Sequence, residues 1–512
     1  MLIKTFGSAI QGIHATKITI EVNISQGIRF FIVGLADNSI RESQQRIETA
    51  ITNNNYEWPR YRVVINMAPA DIRKEGTHFD LPLAVGILAA SKQLNTDRLK
   101  DYLMIGELSL DGGVMAVKGV LPMTLNAKEC GFKGVIVPEK NAEEASVVDK
   151  FDVVPVSDLN GVVSFLNGSR EISPLKTDVS SELFEKVSMH GADFSQVKGQ
   201  ETVKRALLIA SAGNHNLIMA GPPGSGKTMI ASRIPTILPP MSLEESIETT
   251  KIHSVAGKII NSSNLVRVRP FRSPHHTLSN IALIGGGSSP NPGEISLAHN
   301  GVLFMDEFPE FRRDALEVLR QPIEERLVHL SRANYSITYP ANFMLVAAMN
   351  PCPCGYFNHP EKECSCGAGM IKRYLSRISG PLLDRIDIHI EVTPVPFKKL
   401  TEVSESESSE TMRINVMRAR NIQERRFEKI GHINVNAQMG PGLMRRYCSL
   451  DRAGQSIIGL AMERLGLSAR SYDRILKVAR TIADLDDSDK ILSAHVAEAI
   501  NYRNLDREGW MG

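Results

Sequence analysis

The stretch Leu217–Thr228 reads LIMAGPPGSGKT, which joins a short apolar run to a glycine-rich turn. The turn, Gly221–Thr228, matches the P-loop pattern in full, with its glycines, lysine and threonine at the required spacing. Glycines allow backbone N–H groups to curl around phosphates without a Cβ in the way, and a helix that begins there adds its positive dipole end. The stretch therefore predicts a nucleoside triphosphate site.

The P-loop also predicts what its side chains do. Lys227 neutralises charge on the β/γ-phosphates of ATP, and Thr228 places a hydroxyl on Mg²⁺. A glycine-rich turn with an incidental lysine is the alternative, but the preceding apolar strand and the following helical stretch argue against it. The predicted cofactor-binding residues are Gly221, Pro222, Pro223, Gly224, Ser225, Gly226, Lys227 and Thr228.

Hydrolysis also needs a carboxylate that positions the metal and a group that activates water. The run Gly301–Phe308 (GVLFMDEF) places Asp306 and Glu307 directly after an apolar strand. Asp306 fits the Mg²⁺ ligand and Glu307 the water-activating base, although such a pair after any one strand is usually just solvated. A further strand, FMLVAAMN, ends in Asn350, whose amide is predicted to hold the attacking water or touch the γ-phosphate. A turn cap is the alternative for Asn350.

Three uninterrupted apolar runs indicate the fold class: Leu217–Ala220, Val302–Met305 and Phe343–Ala348. Such strands are typical of a parallel sheet that helices cover on both faces. Further along, Tyr472–Leu485 places its apolar residues on one helical face. We expect an α/β core with a parallel sheet, followed by a C-terminal helical lid.

The N-terminal part predicts a second α/β unit. Apolar and polar residues alternate from Ile18 to Ile24, which is typical of a half-buried strand. The other predicted elements of this unit are a helix at Asp37–Ile51 with Asp37 or Asn38 as N-cap, strands at Arg62–Asn66 and Gly134–Val137, and a helix at Leu81–Ala90.

A chain of 512 residues is too long for one hydrophobic core. We expect an N-terminal domain at 1–168, a polar linker at 169–190, an ATPase core at 191–398, an acidic, serine-rich connector at 399–411 and a C-terminal helical domain at 412–512.

The bulk composition is that of a globular protein, with 42% hydrophobic and 23% charged residues. The formal net charge is only +2, so any nucleic-acid contact must come from local basic surface. The first residues lack the apolar core of a secretory signal, and no stretch reaches the roughly 18 apolar residues of a membrane helix. We expect a cytoplasmic protein without membrane contact.

Four of the six cysteines lie close together: Cys352, Cys354, Cys364 and Cys366. In a reducing compartment such a cluster favours metal ligation over disulfides. Four thiolates would give a closed, structural Zn²⁺ site, although one-residue spacers are less typical of zinc than two-residue spacers. Reduced, functionally silent thiols are the alternative.

Longer strings than the nucleotide motifs are more specific. They are VKGQETVKRAL (Val197–Leu207), RPFRSPHHT (Arg269–Thr277), GGG…PGEISLAHNGVLFMDE (Gly285–Glu307), NPCPCGY (Asn350–Tyr356) and RYLSRISGPLLDRID (Arg373–Asp387). On these strings the chain resembles the ComM/YifB family, the magnesium-chelatase-like AAA+ ATPases of bacteria, over nearly its whole length.

The resemblance implies roles for an asparagine and for two arginines that would otherwise be expected in surface salt bridges. It places Asn350 at the sensor-1 position, Arg385 as an arginine finger that enters the neighbouring subunit's ATP site, and Arg470 as sensor 2 in the lid. A finger acting between subunits implies a ring, which in this family is a homo-hexamer. The family is understood as DNA motors that drive branch migration while transforming DNA recombines, so single-stranded or branched DNA and recombination proteins are the expected partners.

The N-terminal unit is similar to the proteolytic domain of Lon, a ribosomal S5 domain 2-like fold. The similarity lies in EGTHFDLPLAVGIL (Glu75–Leu88) and GELSLDGGVMAVKGVLP (Gly106–Pro122). Lon-type cleavage uses a serine and a lysine, whose positions fall near His78 and Leu121 here. Because leucine cannot activate a nucleophile, we expect a non-catalytic domain for assembly or DNA binding.

Two insertions are predicted to face DNA and grip phosphates without reading sequence. The first, Lys251–Asn300, surrounds a glycine tip at Gly285–Gly287, and the second is a hairpin at Leu327–Tyr339 with Arg332 and Tyr335. The basic residues of the first insertion are Lys251, Lys258, Arg267, Arg269, Arg272, His275 and His276. The alternatives are arginines paired with carboxylates at subunit interfaces and histidines that form hydrogen bonds rather than ligate metal.

Three functions remain open on the sequence: a DNA motor, a chelatase-like or chaperone ATPase that remodels a protein partner, and a nucleotide-gated DNA scaffold without hydrolysis. The first two share the nucleotide site, so that site does not separate them. The RPFRSPHHT string and the cysteine cluster favour the DNA motor. The scaffold would require an idle Glu307.

Overall fold

The computed structural model describes residues 2–169, 175, 192–259, 265–287, 290–332, 335–359, 361–395, 406–431 and 433–503. Most of the predicted linker and residues 399–405 of the predicted connector lie outside these ranges. Within the rest of that connector, a helix already begins at Ser409.

The N-terminal unit contains two sheets and the helices packed on them. Its elements are β1 Leu2–Gln11, β2 His14–Ser25, β3 Phe30–Val33, α1 Asn38–Asn53, β4 Arg62–Ala68, α2 Asp80–Ala90, β5 Tyr102–Met104, β6 Glu107–Leu108, β7 Val114–Met115, α3 Val120–Glu129, β8 Gly134–Pro138, α4 Ala142–Ala145, β9 Asp152–Val156 and α5 Leu159–Leu166. The sheets have the strand orders β1-β2-β4-β3 and β5-β8-β9, and β6 pairs with β7.

The helices and strands predicted for this unit are present, with ends that differ by a few residues. Asp37 caps α1 by accepting a hydrogen bond from the backbone of Ile40. The alternating residues of β2 lie in the core, where Ile18, Ile20 and Val22 are fully buried. Helix α2 is buried along its whole length, which explains why its sequence is apolar on every side.

The central unit carries a five-stranded sheet in the order β11-β14-β17-β10-β18, and every pairing in it is parallel. Its elements are α6 Glu201–Gly213, β10 Leu217–Ala220, α7 Lys227–Ala231, α8 Leu243–Val255, β11 Phe271–Arg272, α9 Asn280–Ile284, β12 Gly285–Gly286, β13 Asn291–Pro292, α10 Glu294–Leu297, β14 Val302–Met305, α11 Arg313–Glu317, α12 Arg320–Glu325, β15 Leu327–Arg332, β16 Tyr335–Pro340, β17 Met344–Met349, α13 Ala368–Leu375, α14 Gly380–Leu383 and β18 Ile388–Glu391.

The three central strands β10, β14 and β17 are buried at every residue, as their unbroken apolar sequences predict. The strand expected at Phe343–Ala348 runs from Met344 to Met349 instead. Because parallel strands point the same way, the loops after β10, β14 and β17 meet at one edge of the sheet. The sequence analysis placed the predicted nucleotide residues in these loops.

The C-terminal unit is helical and packs on α6. Its helices are α15 Ser409–Phe427, α16 Pro441–Tyr447, α17 Arg452–Leu465, α18 Ala469–Leu485 and α19 Ser493–Asn501. The apolar face predicted for Tyr472–Leu485 is confirmed, since Ile475, Ala479 and Ile482 are almost completely buried in the shared core.

The two predicted insertions of the central unit touch each other. Strands β15 and β16 form the expected hairpin. The Tyr335 hydroxyl of this hairpin donates to the Gly287 carbonyl at 3.0 Å, which joins the hairpin to the glycine tip of the first insertion. The N-terminal unit also reaches this region, because Ile13 packs into the core of the central unit.

Candidate nucleotide site and cysteine cluster

The P-loop forms the turn between β10 and α7 and buries the Lys227 side chain. Lys227 Nζ donates to the Gly221 carbonyl at 2.7 Å, to the Pro222 carbonyl at 2.9 Å and to Asn350 Oδ1 at 3.2 Å. Burial lowers the pKa of Lys227, and the charge of Asp306 opposes this shift. The ammonium group therefore lies inside the loop, where bound phosphates would compete with carbonyl oxygens for it.

Thr228 and Asp306 lie side by side at the same edge of the sheet. The Thr228 hydroxyl donates to Asp306 Oδ2 at 2.6 Å, across the gap between the start of α7 and the end of β14. A hydroxyl and a carboxylate oxygen are the ligands that Mg²⁺ takes beside nucleotide phosphates. The two oxygens are thus close enough to hold one metal ion between them.

Glu307 follows Asp306 in the left-handed backbone region, with φ +50°. Its Oε2 lies 3.0 Å from Nδ1 of His276, and the carboxylate is half-exposed. The His276 ring stacks obliquely on His275 at 4.2 Å between centroids and meets the edge of Phe311. Both histidines thus form contacts within the chain, as expected from the alternative in which they hydrogen-bond rather than ligate metal. His276 contacts Glu307, the predicted base.

The structure does not bring Arg385 to the P-loop of its own chain. Arg385 precedes β18, the P-loop follows β10, and these two strands are parallel, so the residue and the loop lie at opposite edges of the sheet. Arg470 lies at the exposed start of α18, where it has no ion pair or side-chain hydrogen bond with the part of the chain that the structure describes. Any contact of Arg385 with nucleotide would require a second subunit.

Asp387, in the same string as Arg385, ties the C-terminal unit to the core. Its Oδ1 lies 3.1 Å from Arg474 Nη1 of α18, and its Oδ2 accepts from the Asn216 backbone at 3.0 Å. Burial raises the pKa of Asp387, but Arg474 and His215 outweigh burial and hold the pKa well below its usual range. The Asp387 carboxylate is therefore charged at neutral pH, and its role is structural because it joins α18 to the core.

The four clustered cysteines converge on one point. The Sγ atom of Cys352 lies 3.3 Å from that of Cys354 and 3.6 Å from that of Cys364, and all four Sγ atoms lie within 4.8 Å of one another. Four sulfurs around a tetrahedral Zn²⁺ at about 2.3 Å are about 3.8 Å apart, so the cluster has the size of a zinc site. His359 is not part of the cluster.

The cysteine loop packs directly on the P-loop. Gly355 has φ +84°, and a Cβ there would lie 2.4 Å from Pro223 Cδ. A pocket lies between these two loops and the end of β18, with Gly221, Gly355 and Thr393 in its lining. The cluster therefore supports one wall of the candidate nucleotide site.

The Lon-like positions hold no catalytic pair. Leu121 is fully buried at the start of α3, and its backbone donates to the Glu144 carboxylate at 2.9 Å. Burial lowers the pKa of His78 to about 4, so its ring is neutral at pH 7. Ser254 of the central unit also donates to Glu144, so this region serves as an interdomain contact.

Two arginines of the first insertion have partners inside the chain. Arg269 Nη2 lies 2.8 Å from Glu245 Oε2, and Arg272 Nε lies 2.6 Å from Glu294 Oε2. Both arginines thus pair with carboxylates, as the alternative expects. The carboxylates belong to the same chain, however, and not to a neighbouring subunit. Arg332, at the end of β15, is exposed.

A P-loop that contacts a carboxylate and an amide at the ends of two other strands, at one edge of a parallel sheet, is typical of P-loop ATPases. Sequence profiles described as magnesium chelatase subunit ChlI match residues 193–400 and 20–141, and the ChlI C-terminal profile matches 406–503. The chain is 44% identical to the competence protein ComM of Haemophilus influenzae over 98% of its length and 97% of that protein. It is 43% identical to the uncharacterized protein YifB of Escherichia coli over 98% of its length and 96% of that protein.

The chain belongs to the ComM/YifB family of magnesium-chelatase-like AAA+ ATPases. It is also 26% identical over 159 residues, 29% of this chain, to Lon protease 2 of Bacillus subtilis, of which the match covers 28%. No helix in the described part of the chain is both long and apolar enough to cross a bilayer.

Two partners of predicted site residues were missed from the sequence: His276 beside Glu307 and Glu324 beside Arg385. Each pair joins residues far apart in sequence, and no spacing rule connects them. The RPFRSPHHT string contained a signal for the first, because hydrogen bonding was the alternative role for its histidine pair, although no partner was predicted.

Proposed function

We propose that this protein is a cytoplasmic ATP-dependent DNA motor that assembles as a homo-hexameric ring. It would drive branch migration while incoming DNA recombines during natural transformation. The single observation that carries this proposal is the 44% identity to a competence protein over nearly the full length of both chains. Lys227, Thr228, Asp306, Glu307 and Asn350 would bind and hydrolyse ATP with Mg²⁺. Arg385 would serve a neighbouring subunit, and Arg470 would act as sensor 2 in the lid.

The joined insertions support DNA as the substrate. The β15–β16 hairpin and the Gly285–Gly287 tip form one projection through the Tyr335 hydrogen bond, and Arg332 is exposed on it. A cationic side chain on such a projection contacts phosphates without reading bases. Remodelling of a protein partner is the second candidate, because the nucleotide site would serve it equally well.

The deciding experiment measures ATP turnover and branch migration with single-stranded, forked and four-way-junction DNA. We expect DNA to raise ATP turnover several-fold. The four-way junction should undergo branch migration only when ATP is present. Arg332→Ala should weaken DNA binding equally for all sequences and lower the salt dependence by about one phosphate contact. Arg464→Ala, an exposed arginine of α17, is the control and should bind as the wild type does. Turnover that responds to a protein partner and to no DNA would replace the motor with the remodelling function.

We propose a structural Zn²⁺ at Cys352, Cys354, Cys364 and Cys366. Backbone N–H groups of Phe357 and Cys366 point at two of the sulfurs, at 3.3 and 3.4 Å, as they do around metal thiolates. Four cysteine ligands leave no open position for catalysis, so the metal would fix the loop against the P-loop.

Protein purified without chelators should therefore contain about one zinc per chain by elemental analysis. Cys364→Ser should lose most of that zinc and lower the melting temperature, because one ligand is gone and the loop no longer closes. Cys130→Ser, an exposed cysteine remote from the cluster in sequence, should keep both at the wild-type values. A metal-free wild-type protein would leave the cluster as reduced thiols.

A further inference from the structure

The guanidinium group of Arg385 is held by Glu324 of the same chain. Arg385 Nε lies 2.9 Å from Glu324 Oε1, and Nη2 donates to Glu324 Oε2 at 3.0 Å. Nη1 donates to the Pro381 carbonyl at 2.6 Å. Nη1 and Nη2 thus donate hydrogen bonds, while Nε lies within ion-pair distance of Glu324 without a hydrogen bond of its own, and only 11% of the Arg385 side chain is exposed.

While Arg385 keeps this contact with Glu324, its guanidinium cannot fully contact a phosphate at a second subunit's ATP site. A guanidinium that stabilises a phosphoryl group offers two parallel N–H donors and an uncompensated charge. In Arg385 the side that carries Nε and Nη2 faces the Glu324 carboxylate, which supplies the opposite charge and the acceptor for Nη2. The side chain must therefore leave Glu324 before it can reach a phosphate in full.

Helix α12 connects this contact to the hairpin of the projection. Glu324 lies near the end of α12, and β15 begins at Leu327. The same helix holds the Arg385 segment a second time, because Arg320 Nη2 donates to the Ser379 hydroxyl at 2.8 Å just before α14. A displacement of the hairpin base thus acts directly on the segment that carries Arg385.

We propose that Glu324 is a latch that keeps Arg385 in a resting position, and that movement of the β15–β16 hairpin releases it. The inference rests on the proposed function, in which Arg385 serves the neighbouring ATP site and the hairpin contacts DNA. Engagement of the hairpin by DNA in one subunit then frees the finger for the next subunit. Glu324 is a positioning residue, since it touches the finger and not the nucleotide.

The test compares Glu324→Gln with Glu325→Gln in the full-length protein. Glutamine keeps the size of the side chain and removes the charge that holds Arg385. Turnover without DNA should rise roughly three- to fivefold, which corresponds to the free energy of one partly exposed ion pair. KM for ATP should stay unchanged. Because turnover of this variant without DNA is already raised, DNA should accelerate it by a correspondingly smaller factor. Glu325 pairs with His329 at 3.5 Å and does not touch Arg385, so Glu325→Gln should behave as the wild type.

Two further variants separate this inference from the proposed function. In the latch scheme Arg385→Ala lowers turnover, and adding Glu324→Gln to it gives no rise. A rise in that double variant would show that Glu324 acts through another group and would overturn the latch. If Arg385→Ala is impaired but Glu324→Gln turns over at or below the wild-type rate without DNA, the latch alone is wrong. If Arg385→Ala keeps full turnover, the finger assignment falls and the latch falls with it.

Discussion

Replacement of Lys227 by alanine should lower ATP turnover by at least roughly two to three orders of magnitude. The Lys227 ammonium is the one cation that the P-loop itself contributes, and it lies within hydrogen-bonding distance of two loop carbonyls and Asn350. Triphosphate entering the loop would exchange these neutral acceptors for charged oxygens, which form stronger hydrogen bonds with an ammonium group. Alanine removes both the charge and the donors.

The measurement pairs turnover with ATP binding by thermal shift. A ligand at a hundred times its Kd stabilises a folded protein by about 2.7 kcal/mol, so ATP should raise the melting temperature of the wild type and leave that of Lys227→Ala nearly unchanged. Lys100→Ala removes an exposed lysine of the N-terminal unit and is the matched control for a lost positive charge. An ATP-dependent shift of wild-type size in Lys227→Ala would contradict the assignment of the P-loop as the binding site.

The nucleotide edge was predictable because local sequence encodes it. A P-loop is a contiguous string whose glycines and lysine act through the backbone of one turn, and Asp306 and Asn350 follow buried strands of the same sheet. Parallel strands bring their carboxyl ends together whatever their order, so these residues had to meet. The strand order β11-β14-β17-β10-β18 itself could not be inferred from apolar runs.

The partners of Glu307 and Arg385 were not predictable for the opposite reason. His276 and Glu324 reach their partners only through the tertiary arrangement of loops around the sheet. A sequence also does not reveal whether a charged side chain is already paired with an opposite charge in the folded chain. Arg269 and Arg272 were predicted as possible phosphate contacts, yet the folded chain pairs each with a carboxylate. Which cations remain available to DNA depends on packing that periodicity does not encode.

Replacement of Glu307 by glutamine should separate binding from hydrolysis. Glutamine cannot accept a proton from water, and loss of a general base costs roughly 10²- to 10⁴-fold in rate. The change leaves Lys227, Thr228 and Asp306 in place, so ATP affinity should stay near the wild-type value. The amide oxygen of glutamine can still accept a hydrogen bond from His276, which keeps the local packing. The variant should therefore accumulate as an ATP-bound, long-lived assembly.

Single-turnover hydrolysis and ATP binding, measured on the same preparation, check this result. Glu310→Gln is the matched control, because Glu310 lies on the same segment, is exposed and pairs with Arg377 at 2.6 Å. It should hydrolyse ATP within a small factor of the wild type. In this structure the Glu307 carboxylate contacts His276 through Oε2. Native-rate hydrolysis by Glu307→Gln would mean that another group is the base.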